Sequence, residues 1–115
     1  MQELSSHDCP NVLELIESFE DSDCYYVVTK FMPAGDLFNF ISKQEKLPLD
    51  EDLTKRIIKQ VCMGVQSLHE RNIVHRDVKI DNILMSSLHS KDAQLRLGDL
   101  GSAVKLQSAS DTTQF

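Results

Sequence analysis

Residues 50–71 constrain the fold more than any other stretch of the chain. Leu53, Ile57, Ile58, Val61, Cys62, Val65 and Leu68 recur at spacings of four, one, three, one, three and three. That pattern is the apolar stripe of one helix face. Asp50 can cap the helix start, Glu51 and Asp52 suit the positive end of its dipole, and Pro48 blocks an earlier beginning. About 22 residues at 1.5 Å each make a rod of roughly 33 Å, long enough to cross a domain. Such a stripe must be buried against something, and a chain of 115 residues has room for one core.

The flanking segments read mostly as strands. Residues 11–32 suggest a hairpin: Val12, Leu13, Leu15, Ile16 and Phe19 lead into the polar turn Glu20-Asp21-Ser22-Asp23, and residues 25–31 are rich in β-branched and aromatic side chains. Asp21 and Asp23 are turn formers, and Tyr25 and Tyr26 are strand-packing residues. Pro33-Ala34-Gly35 ends the strand. Asp36 is then the N-cap of a short helix over 37–43, with apolar pairs Phe38/Ile41 and Leu37/Ile41. Residues 72–75 are a short strand candidate. Ile83-Leu84-Met85 and Leu95-Arg96-Leu97 form a second hairpin around the polar loop 86–94, and residues 102–115 read as loop. The expected class is α+β.

Charge and composition exclude several roles. Twelve Lys and Arg against 18 Asp and Glu give a net charge of -6, which argues against nucleic acid or an anionic membrane as the main partner. Cys9, Cys24 and Cys62 form no CxxC pair, and the four histidines have no zinc-ligand spacing. The thiols are expected to be buried or neutral in a reducing compartment. No run of about 18 apolar residues offers a membrane span, and the first residues lack the basic and apolar regions of a secretory signal. The cytoplasm or nucleus is the expected location.

The chemistry is concentrated in His75-Arg76-Asp77-Val78-Lys79-Ile80-Asp81-Asn82. It matches the pattern H-R-D-x-K-x-x-N, whose five specified positions would arise by chance in roughly one sequence in thirty thousand. It follows the long helix and a short strand, and it precedes a hairpin. Asp99-Leu100-Gly101 lies at the end of that hairpin, and Asp99 comes 17 residues after Asn82. The arrangement resembles the catalytic loop and the D-F-G triplet of eukaryotic protein kinases, with Leu in the Phe position. Upstream, Cys9-Pro10-Asn11-Val12 is similar to the family's H-P-N turn, and 33–38 is similar to the segment that opens the helix after the nucleotide hinge. The resemblance covers nearly the whole chain and is of the serine/threonine type.

The resemblance implies roles and a fold. The fold is a protein-kinase-like fragment: residues 1–32 a remnant of the N-lobe and hinge, 33–98 the front half of the C-lobe, and 99–115 the start of the activation segment. Asp77 would orient the substrate hydroxyl, Lys79 would steady the transferred phosphoryl group and help bind ATP, and Asn82 and Asp99 would hold Mg2+. Thr29 falls at the gatekeeper position. Lys30 and Met32 would offer backbone groups to adenine, Leu84 would floor its pocket, and Asp36 would meet the ribose. Leu15, His75 and Leu100 fall in the family's stacked spine. Arg76 would pair with a phosphate on the activation segment, where Ser102, Ser108, Ser110, Thr112 and Thr113 lie, the last two being the favoured acceptors. The implied partners are ATP, Mg2+ and a protein substrate.

The sequence contains no G-x-G-x-x-G loop and no V-A-I-K lysine, and no A-P-E motif follows Asp99. It therefore corresponds to less than half of a kinase domain. The chain alone is not expected to transfer phosphate, and part of the long helix's stripe is expected to be exposed. The parent protein is expected to be an ATP-dependent serine/threonine kinase. The alternative is a non-catalytic kinase-like binding or decoy module.

Overall fold

The computed structural model describes residues 9–88 and 93–107. The predicted sites Ser108, Ser110, Thr112 and Thr113 lie outside these residues. β1 (Leu15–Glu20) and β2 (Tyr25–Thr29) form an antiparallel hairpin, with a register shift between Leu15 and Glu17. Its turn is built by one carboxylate. Asp21 Oδ1 accepts from the backbone N–H of Asp23 at 2.8 Å and of Cys24 at 2.7 Å, while Oδ2 accepts from the Tyr26 hydroxyl at 2.9 Å. The Asp23 N–H, then the Cys24 N–H and the Tyr26 hydroxyl, hold the Asp21 carboxyl below its ordinary range. Tyr26 also stacks on Phe19 with ring centroids 4.9 Å apart. The turn and packing roles expected of Asp21 and Tyr26 are thus explained by local contacts.

The chain then crosses to α1 (Leu37–Ser42). Asp36 caps it, accepting from the Asn39 N–H at 2.8 Å. Leu37 and Phe40 are the buried pair, whereas Phe38 is 50% exposed. The expected Phe38/Ile41 pair is therefore corrected. A helix of fewer than two turns can present either face, and Leu37 and Phe40 are the i, i+3 pair that meets the core.

α2 (Glu51–His69) is capped by Asp50, whose side chain accepts from the Leu53 N–H at 3.2 Å. Its buried face carries Ile57, Gly64, Ser67 and Leu68, with Leu53, Val61 and Val65 half-buried. Ile58 is 55% exposed and Cys62 is exposed, so the stripe read from sequence is wider than the buried face. Val61, Cys62, Val65, Gln66, His69 and Glu70 line an open groove, the exposed part of the stripe. Of the three thiols, Cys9 is buried, whereas Cys24 and Cys62 are exposed.

β4 (Ile83–Met85) and β5 (Leu95–Leu97) pair antiparallel with Ile83 opposite Leu97 and Met85 opposite Leu95. β3 (Ile73–Val74) pairs with β6 (Val104–Lys105), and the Leu106 N–H continues the pairing to the Asn72 carbonyl at 2.7 Å. The expectation that residues 102–107 are loop is thereby corrected: Val104 and Lys105 form a strand whose partner is about thirty residues away in sequence. Val12, Leu37, Phe40, Ile57, Leu68, Ile73, Ile83, Met85, Leu95 and Leu97 make one core between α1, α2 and the β4–β5 hairpin. Among the described residues, no helix is long and apolar enough to cross a membrane.

Gly64 sets how closely α2 approaches the turn before β1. A Cβ there would stand 2.6 Å from the Asn11 carbonyl oxygen and 3.1 Å from Leu97 Cδ1. The backbone atom cannot yield as a flexible side chain can. Alanine would gain about 1 kcal/mol in helix propensity and lose more to overpacking, about 1–3 kcal/mol. Gly64→Ala is therefore expected to lower the midpoint of urea denaturation, and an unchanged or raised midpoint would show that the contact relaxes freely.

Candidate functional site

The site begins where β3 ends. His75 is 2% exposed, and the contacts on its two ring nitrogens determine its tautomer. The Asp77 backbone N–H donates to Nδ1 at 3.1 Å, so Nδ1 carries the lone pair. Nε2 then carries the proton and donates to the Gly98 carbonyl at 2.7 Å. The ring thus joins the 75–82 loop to the end of β5. This is a positioning role, in line with the structural part the sequence assigned to His75.

Asp77 is half-buried beside Asn82, which is 8% exposed. The Asn82 amide nitrogen spends its two hydrogens on Asp77, one on the backbone oxygen at 2.9 Å and one on Oδ2 at 3.0 Å. The other carboxylate oxygen, Oδ1, lies 3.6 Å from Lys79 Nζ. Both members of that pair are substantially exposed, so it contributes little to stability. Its consequence is local: a carboxylate and an ammonium are held side by side. Asn82 reaches this place because residues 80–82 form a short 3-10 turn, with the Asn82 N–H donating to the Lys79 carbonyl at 2.9 Å.

Asp99 joins the group through the backbone. The Gly98 N–H donates to the Asn82 carbonyl at 2.7 Å. Asp99 itself has φ 51°, in the left-handed region that Asp tolerates better than most residues, and its Oδ1 accepts from the Gly101 N–H at 3.3 Å. Asp77, Lys79 and Asn82 are therefore in direct contact, and Asp99 is tethered one residue beyond Asn82's partner. Gly98 was not singled out by sequence. A Cβ there would stand 3.3 Å from Leu84 Cδ1, so a larger residue would require that side chain to shift by a few tenths of an ångström.

The donor set suits a hard cation bound together with phosphate oxygens. With its nitrogen spent on Asp77, Asn82 retains Oδ1, and Asp99 retains Oδ2, as hard oxygen donors. Among the described residues no three His, Cys, Asp or Glu side chains cluster as a metal cage. Mg2+ needs no such cage when one or two side chains and a ligand's phosphates share its shell. These residues fit the ion the sequence implied.

The other predicted residues surround this centre. Asp36 and Leu84 meet in an isolated antiparallel bridge, so the start of α1 lies against β4. The Met85 N–H donates to the Gly35 carbonyl at 2.8 Å, and the Ala34 N–H donates to the Met85 carbonyl at 3.3 Å. Met32 is buried, and its carbonyl accepts from the Gly35 N–H at 3.1 Å. Lys30 is exposed and its backbone N–H donates to the Glu14 carbonyl at 3.0 Å. Thr29 lines a cavity of about 520 Å³ with Leu13, Leu15, Tyr25, Val27 and residues 98–101. Lys30, Met32, Asp36 and Leu84 do not line that cavity. Arg76, with φ 68°, donates from Nε to the Ser102 carbonyl at 2.7 Å, an attachment the sequence did not reveal.

Comparison with known proteins places this geometry in context. A sequence model described as Protein kinase domain matches residues 1–115. The chain is 36% identical over 99 residues to the serine/threonine-protein kinase Nek1 of Mus musculus, covering 86% of this chain and 8% of that protein. It is 34% identical over 112 residues to the serine/threonine-protein kinase ATG1a of Arabidopsis thaliana, covering 97% of this chain and 17% of that protein. It is 37% identical over 92 residues to calcium-dependent protein kinase 4 of Plasmodium falciparum, covering 79% and 17% respectively. The chain thus spans less than a fifth of the length of each of these relatives.

The Asn82–Asp77 contact makes a pH-dependent prediction. Asn82→Asp removes both amide donors and sets a second carboxylate against Asp77. Two such groups cannot both stay ionised cheaply, so one has its folded-state pKa raised. A raised carboxyl pKa costs stability above the unfolded value, and the cost disappears as pH falls below it. The variant is expected to lose about 1–3 kcal/mol at pH 7, with the deficit shrinking toward pH 4. Urea titrations of both proteins at the two pH values test this, and a deficit independent of pH would contradict it.

Proposed function

The chain belongs to the protein kinase family, and we propose that the protein carrying it transfers the terminal phosphoryl group of Mg-ATP to a serine or threonine hydroxyl of a protein substrate. The observation that carries this reading is the Asp77 carboxylate held between the Asn82 amide and the Lys79 ammonium, with Asp99 tied to the same loop through Gly98. Phosphoryl transfer asks the protein mainly for positioning and for compensation of charge. Each of these four side chains supplies one part of that.

Asp77 accepts the hydrogen of the incoming hydroxyl and aims its oxygen at the phosphorus. The Asn82 amide fixes the carboxylate's orientation from Oδ2, leaving Oδ1 to the hydroxyl and to Lys79. Lys79 balances the negative charge that arrives with the phosphoryl group. Asn82 Oδ1 and Asp99 Oδ2 would hold Mg2+, which when bound neutralises phosphate charge and orients the transferring group. The adenine edge would take the Lys30 carbonyl and the Met32 N–H, with Leu84 beneath the ring and Thr29 behind it. Asp36 would accept from a ribose hydroxyl with the carboxylate that already caps α1. The match to serine/threonine-protein kinases of animal and plant origin supports the choice of hydroxyl.

The test uses the full-length protein with radiolabelled ATP and a mixed Ser/Thr peptide substrate. Asp77→Asn is expected to reduce turnover by about a hundredfold to ten-thousandfold, the range for loss of a positioned base, with little change in the Km for ATP. Asp99→Ala is expected to abolish stimulation by Mg2+. Transfer that survives Asp77→Asn undiminished would remove the basis of the proposal, and an inactive wild-type protein that still binds a partner would favour a non-catalytic module.

A further inference from the structure

β5 leads directly to Asp99, and its two edges are completed in different ways. Toward β4, hydrogen bonds run through residues 94, 96 and 98: the Ser86 N–H donates to the Gln94 carbonyl at 3.0 Å and the Gly98 N–H to the Asn82 carbonyl at 2.7 Å. Alternation then turns the N–H and C=O groups of Leu95 and Leu97 to the opposite edge. A third regular strand does not meet them there. The Leu97 N–H donates to the Asn11 carbonyl at 2.8 Å, and the Leu97 carbonyl accepts from the Leu13 N–H at 2.8 Å. The Leu95 groups are met by side chains. Its N–H donates to Gln60 Oε1 at 2.9 Å, and its carbonyl accepts from Asn11 Nδ2 at 2.7 Å.

The two amides also bind each other, with Asn11 Nδ2 donating to Gln60 Oε1 at 3.0 Å. Gln60 Nε2 donates to the Ala93 carbonyl at 3.3 Å, so both ends of its amide are used. Gln60 sits on the inward side of α2, between the buried Ile57 and Gly64, where an apolar residue would be the ordinary choice. Asn11 takes φ 60°, a conformation suited to Asn or Gly, and so presents its carbonyl and side-chain amide to the same strand.

The geometry points to Gln60, with Asn11, as a positioning residue for metal binding: the paired amides stand in for a strand, lock the register of β5 and so fix Asp99 against Asn82. This rests on the proposed phosphoryl transfer for its activity readout and on backbone geometry alone for its second readout. Removing the Gln60 amide leaves the Leu95 N–H and one Asn11 hydrogen without their acceptor. β5 can then shift along α2, and Asp99 moves with it.

The test compares full-length wild type with Gln60→Met, which keeps the side-chain length without an acceptor or donor. The Mg2+ concentration giving half-maximal phosphoryl transfer is expected to rise about threefold to tenfold, the range for one lost hydrogen bond, with the Km for the peptide substrate unchanged. Amide exchange at Leu95 and at residues 98–101 is expected to accelerate together. Asn11→Gly, which retains the positive φ and loses only the amide, is expected to change both readouts in the same direction and decides the matter if Gln60→Met does not fold. A purely structural role would lower the melting temperature and the active fraction while leaving the Mg2+ midpoint and the exchange at 98–101 unmoved, and that result would overturn the proposal. If the wild type transfers no phosphate, the kinase reading fails, and exchange at 98–101 alone decides the positioning role.

Discussion

The peptide unit around Gly98 is the joint on which the site depends. Its N–H is given to the Asn82 carbonyl at 2.7 Å, and its carbonyl takes the His75 Nε2 hydrogen at 2.7 Å. One residue without a side chain therefore ties the end of β5 to both ends of the 75–82 loop. His75 reaches Gly98 only as the tautomer that leaves Nδ1 for the Asp77 N–H, so the same ring also sets Asp77. The positions of Asp77, Asn82 and Asp99 are three consequences of one local network. Buried polar networks of this kind lose much of their value when one member is removed, because the remaining groups are left without partners.

The backbone around the site carries conformations that most residues avoid. Asn11, Asn72, Arg76 and Asp99 all have positive φ. Asn and Asp pay little for this, but Arg76 at φ 68° has no such advantage. Its position is held from both sides: His75 is buried before it, and its own Nε donates to the Ser102 carbonyl. That last bond joins the catalytic-type loop to the segment after Asp99, in parallel with the β3–β6 pairing. The two connections hold residues 102–106 against the loop, although only two residues pair as a strand.

Much of this was legible in the sequence, for reasons that can be named. α2 and the β4–β5 hairpin announce themselves through strong local periodicity and clear end signals, and Asp36 and Asp50 are caps because a short acceptor precedes each helix. The loop 75–82 was legible because its residue types are fixed at fixed spacing, and the structure brings Asp77, Lys79 and Asn82 into contact. β6 was not legible, because two residues pairing with β3 leave no local pattern. The misplaced Phe38 and Ile58 share one cause. A sequence pattern marks which residues are apolar, whereas the neighbours decide which face is covered. Gln60 left a faint signal, a polar residue at a spacing reserved for the core, and its meaning appears only when Leu95 and Asn11 are seen beside it.

The unequal edges of β5 show why such a small strand needs so much support. Three residues of pairing with β4 fix register weakly, since a short hairpin is marginal by itself. A slip of one residue would move Asp99 by about 3.4 Å and turn Leu95 and Leu97 from the core to the opposite face. Reactive groups must be held to about 0.5 Å, far inside that step. Burial of Leu95 and Leu97 opposes the slip on one side of the strand. The amides of Gln60 and Asn11, with the backbone of residues 11–13, oppose it along the edge away from β4. The close seating of Gly64 on the Asn11 carbonyl brings the two amides within reach of each other. The helix that first constrained the fold from sequence thus carries, on its buried face, the side chain that steadies the strand leading to the site.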